Sequence, residues 1–295
     1  MGTYEEISSN KRKSLLLIFL FIVVIVLLGY VFGLLFFNPF IGLFFAFFIS
    51  VIMTLISIFS GDKIMLKMFG AEEAIKPKHT NLINTVEGLA IAAGIPKPKI
   101  YVIKEDSPNA FATGYKPDKA SITVTTGLLK IMNKAELEGV IAHEMSHIKN
   151  YDIRFMLLVA TLVGISVLIS DLLLRSLWWG RYQRNRDRIG FYLIIIGLIL
   201  AILTPIIVQL IKFAVSRQRE FLADASGALL TRYPKGLAEA LRKIKADKEP
   251  MVNGANRAVS HLLIADPMRL IGDNIKHWFS THPPLGERIR RLESM

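Results

Sequence analysis

The stretch NKAELEGVIAHEMSHIKN, residues 133–150, decides how the rest of the chain is read. Ala135, Leu137, Val140, Ile141, Met145 and Ile148 give it an apolar side at helical spacing, so it reads as a helix with a face to bury. Asn133 followed three residues later by Glu136 makes a capping box and sets the helix start. His143 and His147 stand four apart, so they project from one face and both imidazoles reach a single metal ion. Neutral imidazole suits zinc, and three protein ligands with one open position make a catalytic rather than a structural site. Glu144 stands where its carboxylate assists attack by the zinc-bound water, taking its proton and later delivering it to the leaving amine. The competing reading is two surface histidines and a solvated glutamate. The chain has only six histidines, which makes a chance match of this spacing rare, and the apolar side of the helix weighs against it as well.

The third ligand must come from elsewhere. Glu220, in the segment SRQREFLAD (216–224), is the leading candidate. It follows directly on an apolar run, and His147 stands just before another, so both ligand-bearing helices emerge at one membrane face. Asp224, one helical turn on, is placed to accept a hydrogen bond from a ligating imidazole. Donor chemistry alone does not separate Glu220 from Glu239, Glu287, His277 or His282.

Away from this motif the chain is dominated by apolar runs. Apolar residues make up 52% of the 295, with a mean hydropathy of +0.43. Leu15 to Phe37 is long enough to cross a bilayer and too long for the apolar core of a cleavable signal, so it reads as a retained anchor. Asn38 and Pro39 turn the chain, and a second run extends from Phe40 to Phe59. Lys11, Arg12 and Lys13 precede this hairpin and Lys63 and Lys67 follow it, while its tip carries no basic residue. The positive-inside rule therefore places both ends in the cytoplasm. A third run spans Phe155 to Leu174, and a fourth, with Pro205 inside it, spans Ile189 to Ile211. The loop between them holds five arginines with Trp178 and Trp179. Those arginines oppose the topology that two further full spans would impose, although two further spans are the expectation. The net charge of +12 reads as basic flanks held against anionic lipid, not as a nucleic-acid surface. The absence of cysteine excludes a disulfide framework, a thiolate nucleophile and a cysteine-based zinc site.

Between the second and third runs the chain reads as a soluble α+β segment. A helix is expected over Leu82–Ala93, ended by Gly94-Ile95-Pro96. Short strands are expected at Ile100–Ile103, Asn109–Gly114 and Ser121–Thr125. Beyond residue 212 the pattern is polar, mostly helical and basic. His79, His261 and His277 are read as surface or core residues, and Asn150 and Asp152 as positioning a helix end.

Four separated motifs resemble the HtpX family of bacterial membrane metalloproteases, relatives of the CAAX prenyl endopeptidases. They are Asn109-Ala110-Phe111-Ala112-Thr113-Gly114, His143 to Asp152, Ser216 to Asp224, and Thr281-His282-Pro283-Pro284 with Glu287-Arg288. The resemblance implies a zinc endopeptidase of gluzincin type, one zinc per chain, with Glu220 as third ligand and Asp224 supporting the site. It implies that Asn109, Ala110, Phe111 and Ala112 form an edge strand on which a substrate peptide is bound by main-chain pairing. It also implies that His282 and Arg288 line the active site, stabilising an oxyanion or orienting Glu220. A capped helix start at Pro283-Pro284 is the plainer reading of that last motif.

The expectation is thus an α+β membrane protein, mostly helical, with about four membrane helices and a cytoplasmic zincin-like catalytic domain holding a small β-sheet. Residues 1–13 form a cytoplasmic tail, 14–60 a transmembrane hairpin and 61–153 the first catalytic part. A second hydrophobic pair follows at 154–212, and 213–295 form the second catalytic part. The expected function is a membrane-anchored endopeptidase of a bacterial plasma membrane, active site toward the cytoplasm. The resemblance suggests misfolded or damaged membrane proteins as substrates, in quality control under stress. The rival from another class is a non-catalytic membrane scaffold or adaptor. An intramembrane site is excluded by Lys134, Glu136, Glu138 and Lys149, which flank the motif with charge.

Overall fold

The computed structural model describes residues 3–36, 38–160, 217–247, 262–264 and 283–295. It is mostly helical, with one small mixed sheet. Two long helices come first, α1 (Thr3–Phe36) and α2 (Pro39–Met68). The turn between them is set as the sequence suggests. The Asn38 side chain caps α2 by accepting from the main-chain N–H of Phe40 at 2.9 Å and Ile41 at 3.2 Å, and Pro39 occupies the first turn. The two helices can approach closely because small residues line the contact. A side chain on Gly29 would overlap the Gly42 carbonyl and Ala46, and Ala46, Ser50, Ser57 and Gly61 continue the buried stripe on α2. The opposite face of α2 exposes Phe40, Phe44, Phe45, Phe48, Ile52 and Phe59. Among the described residues, α2 is the helix long and apolar enough to cross a membrane.

Both helices outrun the apolar segments that announced them. No proline or turn pair interrupts residues 3–36, so the expected N-terminal tail is already helical from Thr3. At the other end α2 continues through Lys63 and Lys67, because Met65 and Leu66 supply further buried contacts. Gly70, at φ 62°, ends it: the Ala71 N–H bonds Leu66 C=O and the Gly70 N–H bonds Lys67 C=O, a left-handed glycine stop. Helix α2 therefore ends at Met68, past the expected end of the hairpin at residue 60.

The sheet comprises β1 (Glu72–Glu73), β2 (Lys99–Ile103), β3 (Ala110–Thr113) and β4 (Ser121–Thr125), in the order β1-β2-β4-β3. β2 and β4 are parallel and the two outer pairs antiparallel. β1 was not legible in the sequence, since two glutamates carry no strand signal. Helix α3 (Thr80–Ala93) precedes β2 and stops at Gly94 in the left-handed conformation. A short helix α4 (Thr126–Ile131), also unpredicted, follows β4 under a Thr125 side-chain cap. Helix α5 (Lys134–Lys149) begins at the expected capping box: Glu136 N–H donates to Asn133 at 3.0 Å and Asn133 N–H to Glu136 at 2.8 Å. After it come α6 (Arg217–Thr231), α7 (Pro234–Ala246) and α8 (Leu285–Glu293).

Alternation along the strands divides the interior in two. Ile100, Val102, Ala110, Ala112, Ile122 and Val124 face one core, shared with α3, α5 and α7 through Leu82, Val86, Val140, Ile141, Leu237 and Leu241. Ile103 and Phe111 face the other, where Phe111 packs 5.1 Å from Phe69. That second core joins the sheet to α1 and α2 through Leu17 and Met65. Residues 152–160 are helical, and Phe155 to Ala160, the start of the third apolar run, are buried in it. The rest of that run, the fourth run, the arginine-rich loop with Trp178 and Trp179, and also His261, His277 and His282 lie outside the described residues.

Helices α5 and α6 cross at a glycine. A Cβ on Gly227 would lie 2.9 Å from the main-chain nitrogen of His143. Because that neighbour is backbone, it cannot give way as a side-chain tip would. Gly227→Ala is expected to push the helices apart and cost about 1–3 kcal/mol of stability. Gly88→Ala on α3, where a Cβ meets nothing within 4 Å, supplies the control and should be neutral or slightly stabilising. Thermal unfolding of the two detergent-purified variants reads the difference, and equal melting temperatures would contradict it.

Candidate active site

The α5–α6 crossing brings together side chains from three parts of the sequence. His143 and His147 lie on the side of α5 that faces α6, and Glu220 lies in the first turn of α6. The two histidine Nε2 atoms are 3.2 Å apart, with the rings nearly perpendicular. Glu220 Oε1 lies 3.4 Å from His147 Nε2, and Oε2 lies 3.9 Å from His143 Nε2. All three residues are buried. In a tetrahedral zinc site with bonds near 2.0–2.2 Å, ligand atoms lie about 3.3 Å from one another. The three donor atoms lie within 4.8 Å of one another, and the set of two imidazoles and one carboxylate fits zinc.

The other ring nitrogen of each histidine is held by an aspartate. His143 Nδ1 lies 3.0 Å from Asp224 Oδ1, the contact expected from the one-turn spacing after Glu220. His147 Nδ1 lies 3.1 Å from Asp152 Oδ2. Each contact commits Nδ1 as the N–H donor and leaves Nε2 as a lone-pair donor toward the shared point. Asp152 was read from the sequence only as helix-end furniture. No sequence signal places it there: the contact follows Tyr151, a non-glycine residue at φ 61° directly after α5.

Arg288, on α8, closes the cluster and is fully buried. Its Nε donates to Asp224 Oδ2 at 2.8 Å and its Nη2 to Asp224 Oδ1 at 2.7 Å, a fork on one carboxylate. Its Nη1 lies 3.3 Å from Glu220 Oε2 and donates to the Ile264 carbonyl at 3.2 Å. Burial alone would raise the Asp224 pKa, but the Arg288 and His143 N–H groups hold it down at about 2. Burial opposes a charge on His147, yet the Asp152 and Glu220 carboxylates outweigh it and push its pKa up to about 10. The same field that favours a proton on His147 favours a metal cation beside it. For Glu144, 3% exposed, burial dominates and raises the carboxyl above its ordinary range. A carboxylate that binds a proton more readily than usual is suited to general-base work near neutral pH.

The rival third ligands within the described residues lie elsewhere: Glu239 pairs with Arg242 and Glu287 with Arg291, both near the surface. β3 is the terminal strand of the sheet. Its outer edge is not wholly open, because the Ile264 N–H donates to the Ala110 carbonyl at 2.9 Å. Asn109, just before β3, is buried, with its main chain hydrogen-bonded to Thr125.

A family model described as peptidase family M48 matches residues 76–295. The protease HtpX homolog of Caldanaerobacter subterraneus subsp. tengcongensis is 47% identical over 99% of this chain and 97% of its own. That of Streptococcus gordonii is 40% identical over 99% of both chains. Among solved structures, the crystal structure of S. mikatae Ste24p matches with a TM-score of 0.50 at 19% identity, covering 98% of this chain and 67% of that one. That likeness concerns the fold.

Proposed function

The chain belongs to peptidase family M48 and is a metalloprotease, and we propose that it is a membrane-anchored zinc endopeptidase acting on polypeptides at the cytoplasmic face of the bilayer. The observation that carries this reading is the convergence of His143 Nε2, His147 Nε2 and a Glu220 oxygen on one buried point. When bound there, zinc would polarise the scissile carbonyl and make water more acidic. Glu144 takes the proton of the attacking water and passes it to the departing amine, a shuttle its raised pKa favours. Asp224, forked by Arg288, holds the His143 ring so that Nε2 faces the metal position.

Substrate is taken up as an extended segment against β3. β3 is buried along its length and Ala110 already accepts a hydrogen bond from Ile264, so the substrate takes the place of that contact at the β3 edge. Main-chain pairing asks little of the substrate's sequence, which suits an enzyme that removes misfolded or damaged membrane proteins. The α1–α2 hairpin supports the membrane setting, with aromatic residues outward on α2 and basic residues at both of its free ends. The apolar runs at 155–174 and 189–211 would complete a four-helix anchor.

The test is zinc content and cleavage of an unfolded casein-like protein by detergent-purified wild type and Glu220→Ala. Wild type is expected to hold about one zinc and to cleave, with three protein ligands at a catalytic site. Glu220→Ala is expected to lose both zinc and activity. Retention of both would move the third ligand elsewhere, with His282 the next to examine. A wild type that takes up no metal under any reconstitution would leave the scaffold reading.

A further inference from the structure

The metal site is held from two sides, and only one of them involves residues with an expected role. Asp224 and Arg288 stand behind His143. Behind His147 stands a pair built in the same order from different elements. Asp152 Oδ2 lies 3.1 Å from His147 Nδ1, and Asp152 Oδ1 lies 3.7 Å from Arg219 Nη1. Arg219 is the residue before Glu220 on α6, and its guanidinium sits 5.1 Å over the ring of Phe155. Asp152 is 1% exposed and Arg219 8% exposed, so neither charge is there for solubility.

We propose that Asp152 and Arg219 form a second positioning pair, fixing the tautomer and ring orientation of His147 and tying that ligand to the helix that carries Glu220. The inference rests on the metalloprotease reading above.

Three features of the chain support it. Tyr151 adopts a left-handed conformation, which a bulky residue reaches only at an energetic cost. The return from that turn places Asp152 against a ligand five residues earlier rather than in solvent. Arg219 and Glu220 are adjacent, so displacement of the arginine is transmitted directly to the third ligand position. Phe155 lies on the helical stretch that opens the third apolar run. The pair therefore also couples the His147 ligand to the second core, a buried cluster that includes Phe155, Phe69 and Phe111. The plainer role for Asp152 is to cap the helical stretch 152–160, which would make no demand on His147.

The two roles separate when metal affinity and apo-protein stability are measured together. Zinc affinity is read by competition with a chromophoric chelator, site geometry by the visible spectrum of the cobalt(II)-loaded protein, and folding by thermal unfolding without metal. Asp152→Ala is expected to weaken zinc affinity by about 10- to 100-fold, the range for losing a hydrogen-bond partner of a metal-bound histidine. It should also shift the cobalt bands. Asp152→Asn, whose side-chain oxygen still accepts from His147 Nδ1–H, should recover part of the loss. Arg219→Gln should move affinity in the same direction by less, because its contact is longer. Wild-type zinc affinity and an unshifted cobalt spectrum in Asp152→Ala would overturn the proposal and leave only the helix cap. Should that happen while His147→Ala abolishes zinc uptake, the metal-centre reading stands and this inference alone fails. Wild type that binds no zinc removes both.

Discussion

Glu144→Gln is expected to abolish peptide hydrolysis while the protein keeps its zinc and its fold. Glutamine matches glutamate in size but cannot accept a proton from water or return one to the leaving amine. General acid–base groups contribute about 10²- to 10⁴-fold, and this side chain serves both halves of the reaction, so the loss should lie at the upper end. Zinc content should not change, because His143, His147 and Glu220 provide the ligand atoms. Stability follows from the direction of the pKa shift. The folded-state pKa of Glu144 is raised by burial, so the ionised carboxyl costs stability at every pH above its unfolded value. A neutral glutamine removes that cost, and the variant should melt no lower than wild type at neutral pH. Turnover of an unfolded casein-like substrate, zinc analysis and a melting curve decide the matter on one preparation. Activity within tenfold of wild type would remove Glu144 from the mechanism.

What the sequence disclosed depended on whether the signal was local. The capping box at Asn133 and Glu136, the four-residue spacing of His143 and His147, and the turn at Asn38-Pro39 are short-range features, and each has the geometry its spacing implied. Strand β4 matched its β-branched run to the residue. The extents of α1 and α2 were less legible, because hydropathy reports where lipid could surround a helix and not where the helix stops. Gly70 carried that information, and it lies well past the apolar run. β1 forms through pairing of Glu72 and Glu73 with Val102 and Tyr101, a tertiary reason invisible in two glutamates. At the site, the one-turn step from Glu220 to Asp224 was readable as geometry. The partnership of His147 with Asp152 was not, because it depends on a left-handed residue at Tyr151 where sequence gives no glycine to announce it. Arg288 stood out by resemblance only. Nothing within 64 residues of sequence ties it to Asp224, and the contact arises from how α8 docks on α6 and α7.

Arg288→Met carries the largest expected effect on the fold, and it also separates the two roles open to this arginine. Its Nε and Nη2 are both spent on Asp224, and its Nη1 lies between the Ile264 carbonyl and Glu220. A guanidinium so engaged is better placed to hold the ligand shell than to meet an oxyanion. Removing it takes the guanidinium from buried Asp224 and from the Oε2 side of Glu220, and losing one partner of a buried ion pair costs about 3–5 kcal/mol. Zinc affinity should fall as well, since Asp224 would no longer be fixed against His143 Nδ1. Arg288→Lys should fall between the two, since it keeps the charge and loses the fork. An oxyanion donor would behave differently: turnover would drop with zinc affinity and melting temperature unchanged. A double variant sharpens the distinction. If Arg288 serves to balance Asp224, then Arg288→Met with Asp224→Asn should be less destabilised than the two single losses added together, because the uncompensated charge is gone. Strict additivity of the two, measured by thermal unfolding, would dissolve the proposed pairing and return Arg288 to the chemistry of the substrate.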